Sequence, residues 1–169
     1  MQRVMILGSS GAGKSTFAAR LAALSGLPNV SLDAIYWQPG WKAPERAIFD
    51  RQVEDVARAE RWIIDGNYLS HGVASRLGRA DTLIWFDLPR LTCMTGVLGR
   101  IARTYGRVRP EMAPGCPEQI DLAFLRYVWT YRALQRPKLI EAFRHLRADQ
   151  TLVAFRSRRD ASDYLARFI

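Results

Sequence analysis

The chain has 169 residues, 49% hydrophobic and 24% charged, proportions that fit one globular domain and exclude a mainly disordered polypeptide. Its 25 basic and 16 acidic side chains give a formal net charge of +9, which asks for an acidic partner such as a nucleotide, a nucleic acid or a membrane surface. No apolar run approaches the roughly 20 residues that cross a bilayer, and Cys93 and Cys116 are too few for a disulfide framework or a four-ligand zinc site, so a cytoplasmic protein with reduced thiols and no membrane partner is expected.

Five apolar runs read as short buried strands: Val4–Leu7, Val30–Leu32, Trp62–Ile64, Thr82–Phe86 and Thr151–Phe155. The opening run is too short for a signal peptide. Helical patterns alternate with these strands. The first covers Lys14–Leu24 and stops at Ser25-Gly26, with glycine as the C-terminal cap. Pro44 suits a first helical position before Phe49, Val53 and Val56. Pro89 opens a pattern through Leu91, Met94, Leu98 and Ile101, and Asp121 caps one carrying Leu125, Val128 and Trp129. Ser157 and Asp160 have capping-box spacing before the closing helix, with Asp in place of Glu. Alternation of this kind predicts right-handed crossovers and a doubly wound parallel sheet, an α/β fold. The least regular stretch, Tyr105–Gln119, reads as a lid or binding loop.

Between the first strand and the first helix, Gly8-Ser9-Ser10-Gly11-Ala12-Gly13-Lys14-Ser15 matches G-x-x-x-x-G-K-[ST]. Glycines let the backbone wind closely around phosphate oxygens, and successive N–H groups at the helix start supply partial positive charge. Lys14 reaches the β- and γ-phosphates of a bound nucleotide, and Ser15 is placed to ligate Mg²⁺. The nucleotide-binding set is therefore Gly8 through Thr16.

Ligands of an open parallel sheet sit beyond the carboxyl ends of its strands, where Asp33, Asp65 and Asp87 fall. Asp65, ending an apolar strand, is the second candidate Mg²⁺ ligand. Asp33 is the candidate that orients an acceptor or takes the proton of its hydroxyl. Asp87, ahead of Leu88-Pro89, reads as a helix cap.

The positive charge is lopsided, with residues 1–89 net +1 and residues 90–169 net +8. Five arginines and no acid lie from Arg90 to Arg109, and Arg100, Arg103 and Arg107 share one helical face if the helix extends that far. Guanidinium groups bind phosphate bidentately and stabilise charge on a transferring phosphoryl group, which makes Arg100 and Arg103 catalytic candidates beside Lys14 and Asp33. Arg132 and Arg136 are further candidates of the same kind. Tyr36, Trp37 and Trp41 offer either a stacking surface or local packing. Trp62, Trp85 and Trp129 read as core, and His71, His145 and both cysteines as structural.

Taken together, the motifs resemble the adenylate kinase-like P-loop kinases, and more narrowly the DNA topology modulation protein (FlaR-type) family. The resemblance rests on the strand–loop–helix start, Leu32-Asp33-Ala-Ile-Tyr-Trp37, Trp62-Ile-Ile-Asp65-Gly66-Asn67-Tyr68, Arg79 to Arg90, Arg109 to Glu118 with its Gly-Cys-Pro-Glu, and Phe124, Trp129 and Arg136-Pro137-Lys138. It implies a three-layer fold with a five-stranded parallel core in a single domain over 1–169, a small acceptor-binding insertion near 34–61 and an arginine-bearing lid near 104–120. Adenylate kinases carry Asp-Gly-Phe-Pro-Arg, whose arginine binds the acceptor nucleotide; here Asp65-Gly66-Asn67-Tyr68-Leu69 has no arginine, so the motif does not commit the acceptor to AMP or to a nucleotide.

The expected activity is an ATP- and Mg²⁺-dependent transfer of the γ-phosphoryl group to a nucleotide or other small acceptor. The alternative is a nucleotide-controlled, DNA-binding regulator with weak ATPase activity, for which the unassigned Arg144, Arg147, Arg156, Arg158 and Arg159 are the residues to inspect.

Overall fold

The computed structural model describes residues 1–71 and 73–168. Five strands, β1 (Arg3–Gly8), β2 (Asn29–Ser31), β3 (Trp62–Asp65), β4 (Thr82–Phe86) and β5 (Thr151–Phe155), form one sheet in the order β2-β3-β1-β4-β5. Every pairing is parallel: Val4 aligns with Ile63 on one side and Thr82 on the other, and Phe86 aligns with Phe155. Because β1 lies between β3 and β4, the chain reverses its winding direction there, and the crevice for a ligand opens at the carboxyl end of β1.

Among the described residues eight α-helices flank the sheet: α1 (Lys14–Ser25), α2 (Leu32–Tyr36), α3 (Arg46–Arg58), α4 (Val73–Arg79), α5 (Arg90–Thr104), α6 (Leu122–Leu134), α7 (Arg136–Arg144) and α8 (Arg158–Leu165). Strand alternation divides β1 between two cores. Val4 and Ile6 face a layer containing Phe17, Leu21, Val97 and Leu165, while Met5 and Leu7 face one containing Phe49, Val53, Trp62 and Leu139. Each such side chain removed from water contributes about 2 kcal/mol, which explains why the central strands are apolar on both faces. This is the expected three-layer, doubly wound α/β architecture.

Local signals worked where they were complete. Gly26 caps α1 in the left-handed region, at φ 66°. Asp121 accepts from the amides of Ala123 and Phe124, and Ser157 and Asp160 form a reciprocal capping box.

Four expectations need correction. Leu32 begins α2 rather than ending β2. Pro44 is not a first helical residue, because Glu45 stays extended (φ −60°, ψ 138°) and α3 starts at Arg46. Trp129 is not core: α6 turns Val128 and Tyr131 inward, leaving the indole 44% exposed under the Arg90 guanidinium at 4.7 Å. Arg107 does not continue the Arg100–Arg103 face, since Tyr105 leaves helical geometry and Gly106 has φ 72°.

Segments 37–42 and 112–117 form a third, small core in which Met112, Ala113 and Cys116 pack on Trp37 and Trp41. Trp41 donates from Nε1 to the Pro117 carbonyl at 3.0 Å, and the Gly40 amide donates to the Gly115 carbonyl at 2.9 Å. Trp37 and Trp41 are thus spent on holding these two loops together, while Tyr36 packs on Phe49 and Tyr68.

Candidate active site

The glycine-rich turn between β1 and α1 owes its shape to backbone freedom and to crowding. Gly13, at φ 101°, caps α1 without any side-chain capping bond, leaving first-turn amides of α1 available to an anion. Gly11, at φ 76°, passes so close to α5 that a Cβ would collide with the Cys93 carbonyl. Lys14 Nζ donates to the Ser9 carbonyl at 3.1 Å, folding the ammonium back across the loop.

Ser15 Oγ donates to Asp65 Oδ2 at 2.5 Å, while the other oxygen of this buried carboxylate, Oδ1, has no partner. Burial pushes the Asp65 carboxyl above its ordinary value against the pull of Lys14 and Ser15, and Asp33 and Glu111 push in the same direction as burial. An unsatisfied buried carboxylate oxygen beside a serine hydroxyl fits a hard divalent cation such as Mg²⁺. Among the described residues no cluster of three His, Cys, Asp or Glu side chains exists, so such an ion would complete its shell from phosphate and water.

A cavity of about 570 Å³ lies over the loop. Ser10, Gly11, Ala12, Gly13, Lys14, Ser15 and Thr16 line its floor, with Asp33, Arg100 and Arg103 around it. Gly8 and Ser9 lie beneath; Ser9 is buried, and the Gly8 amide and carbonyl pair with the Asn67 side chain at 2.9 and 2.8 Å. Most of the residues singled out in the sequence therefore converge. Arg132 does not: it lies off the cavity, 4.0 Å from Asp87 and 3.4 Å from the Leu88 carbonyl. Nor is Asp87 a helix cap. Its carboxylate takes a two-point hydrogen bond from Arg136 (2.8 and 2.9 Å), drawing the start of α7 to the end of β4.

The arginine run is less unbalanced than its sequence window suggests. Glu118 folds back from outside that window and is buried between Arg100, which donates to it at 3.0 Å, and Arg109, in ionic contact at 2.8 Å. Burial and the Arg109 charge lower the Arg100 pKa, which Glu118 opposes. Glu118 thus holds two guanidinium groups at the cavity rim before any phosphate arrives, and Arg109 also pairs with Glu111 at 2.7 Å.

Three other residues were not identified as site residues. Tyr68, at φ 36°, donates its hydroxyl to Asp33 Oδ1 at 2.7 Å. Arg76 is fully buried, and its guanidinium donates to the carbonyls of Gly66, Asn67, Tyr68 and His71, clasping the loop after β3. Arg158, previously unassigned, donates to the Gly11 carbonyl at 2.9 Å and to Thr92 at 3.3 Å, bridging loop and α5. None of these partners is adjacent in sequence, so only the resemblance around Asp65–Tyr68 pointed near any of them.

Gly96 makes this bridge possible, since a Cβ there would collide with the Gly11 carbonyl and press on Arg158. Overpacking of this kind costs about 1–3 kcal/mol. Gly96→Ala should therefore lower the urea midpoint by a corresponding amount, whereas Gly78→Ala, with open space around it, should not lower it.

The sheet order, the loop at its central strand and the flanking helices are those of a P-loop NTPase fold. No protein-family model matches the chain, and neither does any curated protein. Solved structures do: the 1.7 Å crystal structure of shikimate kinase from Bacteroides thetaiotaomicron aligns over 98% of this chain and 95% of its own, with a TM-score of 0.60 and 17% identity. Shikimate kinase from Acinetobacter baumannii in complex with shikimate aligns over 98% and 91%, with a TM-score of 0.57 and 15% identity. The superposition, at this low identity, establishes the shared fold alone. No helix among the described residues is long and apolar enough to cross a membrane.

Proposed function

We propose that this protein is an ATP-dependent phosphotransferase that moves the γ-phosphoryl group of ATP to a small acceptor. The observation that carries this reading is the convergence on one cavity of the glycine-rich loop with Lys14, the lid-side Arg100 and Arg103, and Asp33. Lys14 and the loop amides hold the β- and γ-phosphates. Arg100 and Arg103 close over the transferring group and keep water from it. Asp33, oriented by Tyr68, receives the acceptor hydroxyl and takes its proton. Ser15 and Asp65 would hold Mg²⁺, which supplies charge neutralisation on the phosphates when bound. Segments 34–61 and 104–120 serve as acceptor insertion and lid, and the resemblance to the FlaR-type branch rests on the residues quoted for it. The likeness to shikimate kinases supports a kinase of small molecules.

Four of the five arginines that motivate the DNA-binding alternative are engaged, and among the described residues Arg156 alone of the five makes no side-chain ion pair or hydrogen bond. Arg144 pairs with Glu141 at 2.8 Å, Arg147 with Asp149 at 2.9 Å and Arg159 with Asp163 at 3.7 Å, and Arg158 turns to the loop. The transferase reading is the better supported.

Acceptor-dependent ADP formation tests it; turnover that no acceptor raises above slow hydrolysis would end the kinase reading. Asp33→Asn should lower transfer by about 10²- to 10⁴-fold, the range of a lost general base, while ATP affinity measured by calorimetry stays within about two-fold.

A further inference from the structure

Resting on the phosphotransferase reading, we infer that Trp41 is a positioning residue that joins the Asp33 arm to the lid, so that nucleotide held by the lid-side arginines also sets Asp33 in place. The inference comes from the small core between segments 37–42 and 112–117. Asp33 sits in α2, and the Trp37 amide donates to the Asp33 carbonyl at 3.2 Å, so the chain runs from this carboxylate straight into that core. Gln38 and Lys42 then close a tight loop, with amide-to-carbonyl bonds of 2.9 and 3.3 Å.

Three hydrogen bonds cross between this loop and the lid segment. Trp41 Nε1 donates to the Pro117 carbonyl at 3.0 Å, the Gly40 amide to the Gly115 carbonyl at 2.9 Å, and Cys116 Sγ to the Gln38 carbonyl at 3.2 Å. Met112, Ala113 and Cys116 are buried against the two indoles, whose ring centroids lie 5.3 Å apart. Trp41 has φ 61°, a left-handed conformation that a bulky residue keeps only where its surroundings hold it. Its contacts with 112–117 supply that hold.

Both ends of this clasp reach the cavity, through Asp33 on one side and through Arg109 and Glu111 on the other. The Met112 amide donates to the Arg109 carbonyl at 3.0 Å, and Glu118, which follows Pro117, pairs with Arg100 and Arg109. The backbone of Glu118 is fixed as well. Its carbonyl accepts from the Gly106 amide at 2.8 Å, and its amide donates to the Arg107 carbonyl at 2.9 Å. Phosphates that order Arg100 and Arg109 therefore act on a segment already packed against the Asp33 arm. Close-packed side chains leave little slack, so ordering on one side restrains the other. The coupling is reciprocal: an acceptor that orders the Asp33 arm tightens nucleotide binding by the same factor.

The test is hydrogen exchange of the full chain, read by mass spectrometry, with and without Mg²⁺ and the non-hydrolysable ATP analogue AMP-PNP. In the wild type the nucleotide should slow exchange at least about five-fold in peptides covering 34–42, together with those covering 8–16 and 107–118. Trp41→Phe keeps an aromatic ring but removes the donor to Pro117. In that variant the slowing at 34–42 should fall below about two-fold while that at 8–16 remains. The ratio of bound to free rates is the readout, because a variant that is only less stable exchanges faster in both states and keeps the ratio. A ratio retained in Trp41→Phe, or slowing in the wild type that does not reach 34–42, would overturn the inference and leave the transferase reading intact. Failure of the wild type to bind AMP-PNP or ATP by calorimetry would overturn both.

Discussion

Replacing Lys14 with methionine is expected to lower phosphoryl transfer by about 10²- to 10³-fold, the usual loss when one preorganised donor to a developing charge is removed. Lys14 is one of three lysines in the chain and the only one that lines the cavity. Its ammonium, parked on the Ser9 carbonyl at 3.1 Å, has a short swing to the phosphates. Methionine preserves the length and apolar stem of the side chain, so packing over the loop changes little. The thermal midpoint should accordingly stay within a few degrees of wild type while transfer, followed by coupled ADP release, collapses. Undiminished transfer in a folded Lys14→Met protein would remove the loop from the chemistry.

The second large effect is on stability. Arg76→Met should cost about 3–5 kcal/mol, the range seen when one partner of a buried charged arrangement is deleted, and should appear as a lower urea midpoint. Burial pushes the Arg76 pKa down to about 10, so the group is still charged at neutral pH and its bonds to carbonyls are charge-assisted. Methionine fills similar space but leaves those carbonyls in the interior without donors. Arg76→Lys should rescue only part of the loss, because an ammonium cannot spread donors across the loop as the planar fork does. Activity should fall with stability here, since the clasped loop carries Asn67, which is zipped to Gly8, and Tyr68, which orients Asp33. A midpoint unchanged in Arg76→Met would show that water replaces the guanidinium without loss.

Particular residues show why some of this was readable beforehand. The loop from Gly8 to Thr16 was legible because its glycines and the helix start recur at fixed short spacing, although Asn67, Asp65 and Arg158 hold it from far along the chain. The Asp121 cap and the Ser157–Asp160 box are local, spanning three residues or fewer. Asp33 and Asp65 were found because a parallel sheet puts strand ends at its ligand crevice. The errors at Asp87 and Trp129 have the opposite character. Each was assigned from its own helix or turn, and each was decided by a partner elsewhere: Arg136 for Asp87 and Arg90 for Trp129.

By itself the sequence determined the glycine-rich loop, the alternation of strands and helices, and the concentration of arginine in the second half. The tertiary structure decided which arginines are free to meet a phosphate, and the answer changes the meaning of the +9 charge. Glu118, Asp87, Asp149 and a ring of backbone carbonyls engage guanidinium groups whose partners lie as far apart in sequence as Arg158 and Gly11. The physical reason is one of range. Helix caps and glycine turns are governed by dihedral preferences within a few bonds. An ion pair across the fold exists only after the sheet has set its register and removed water from between the partners.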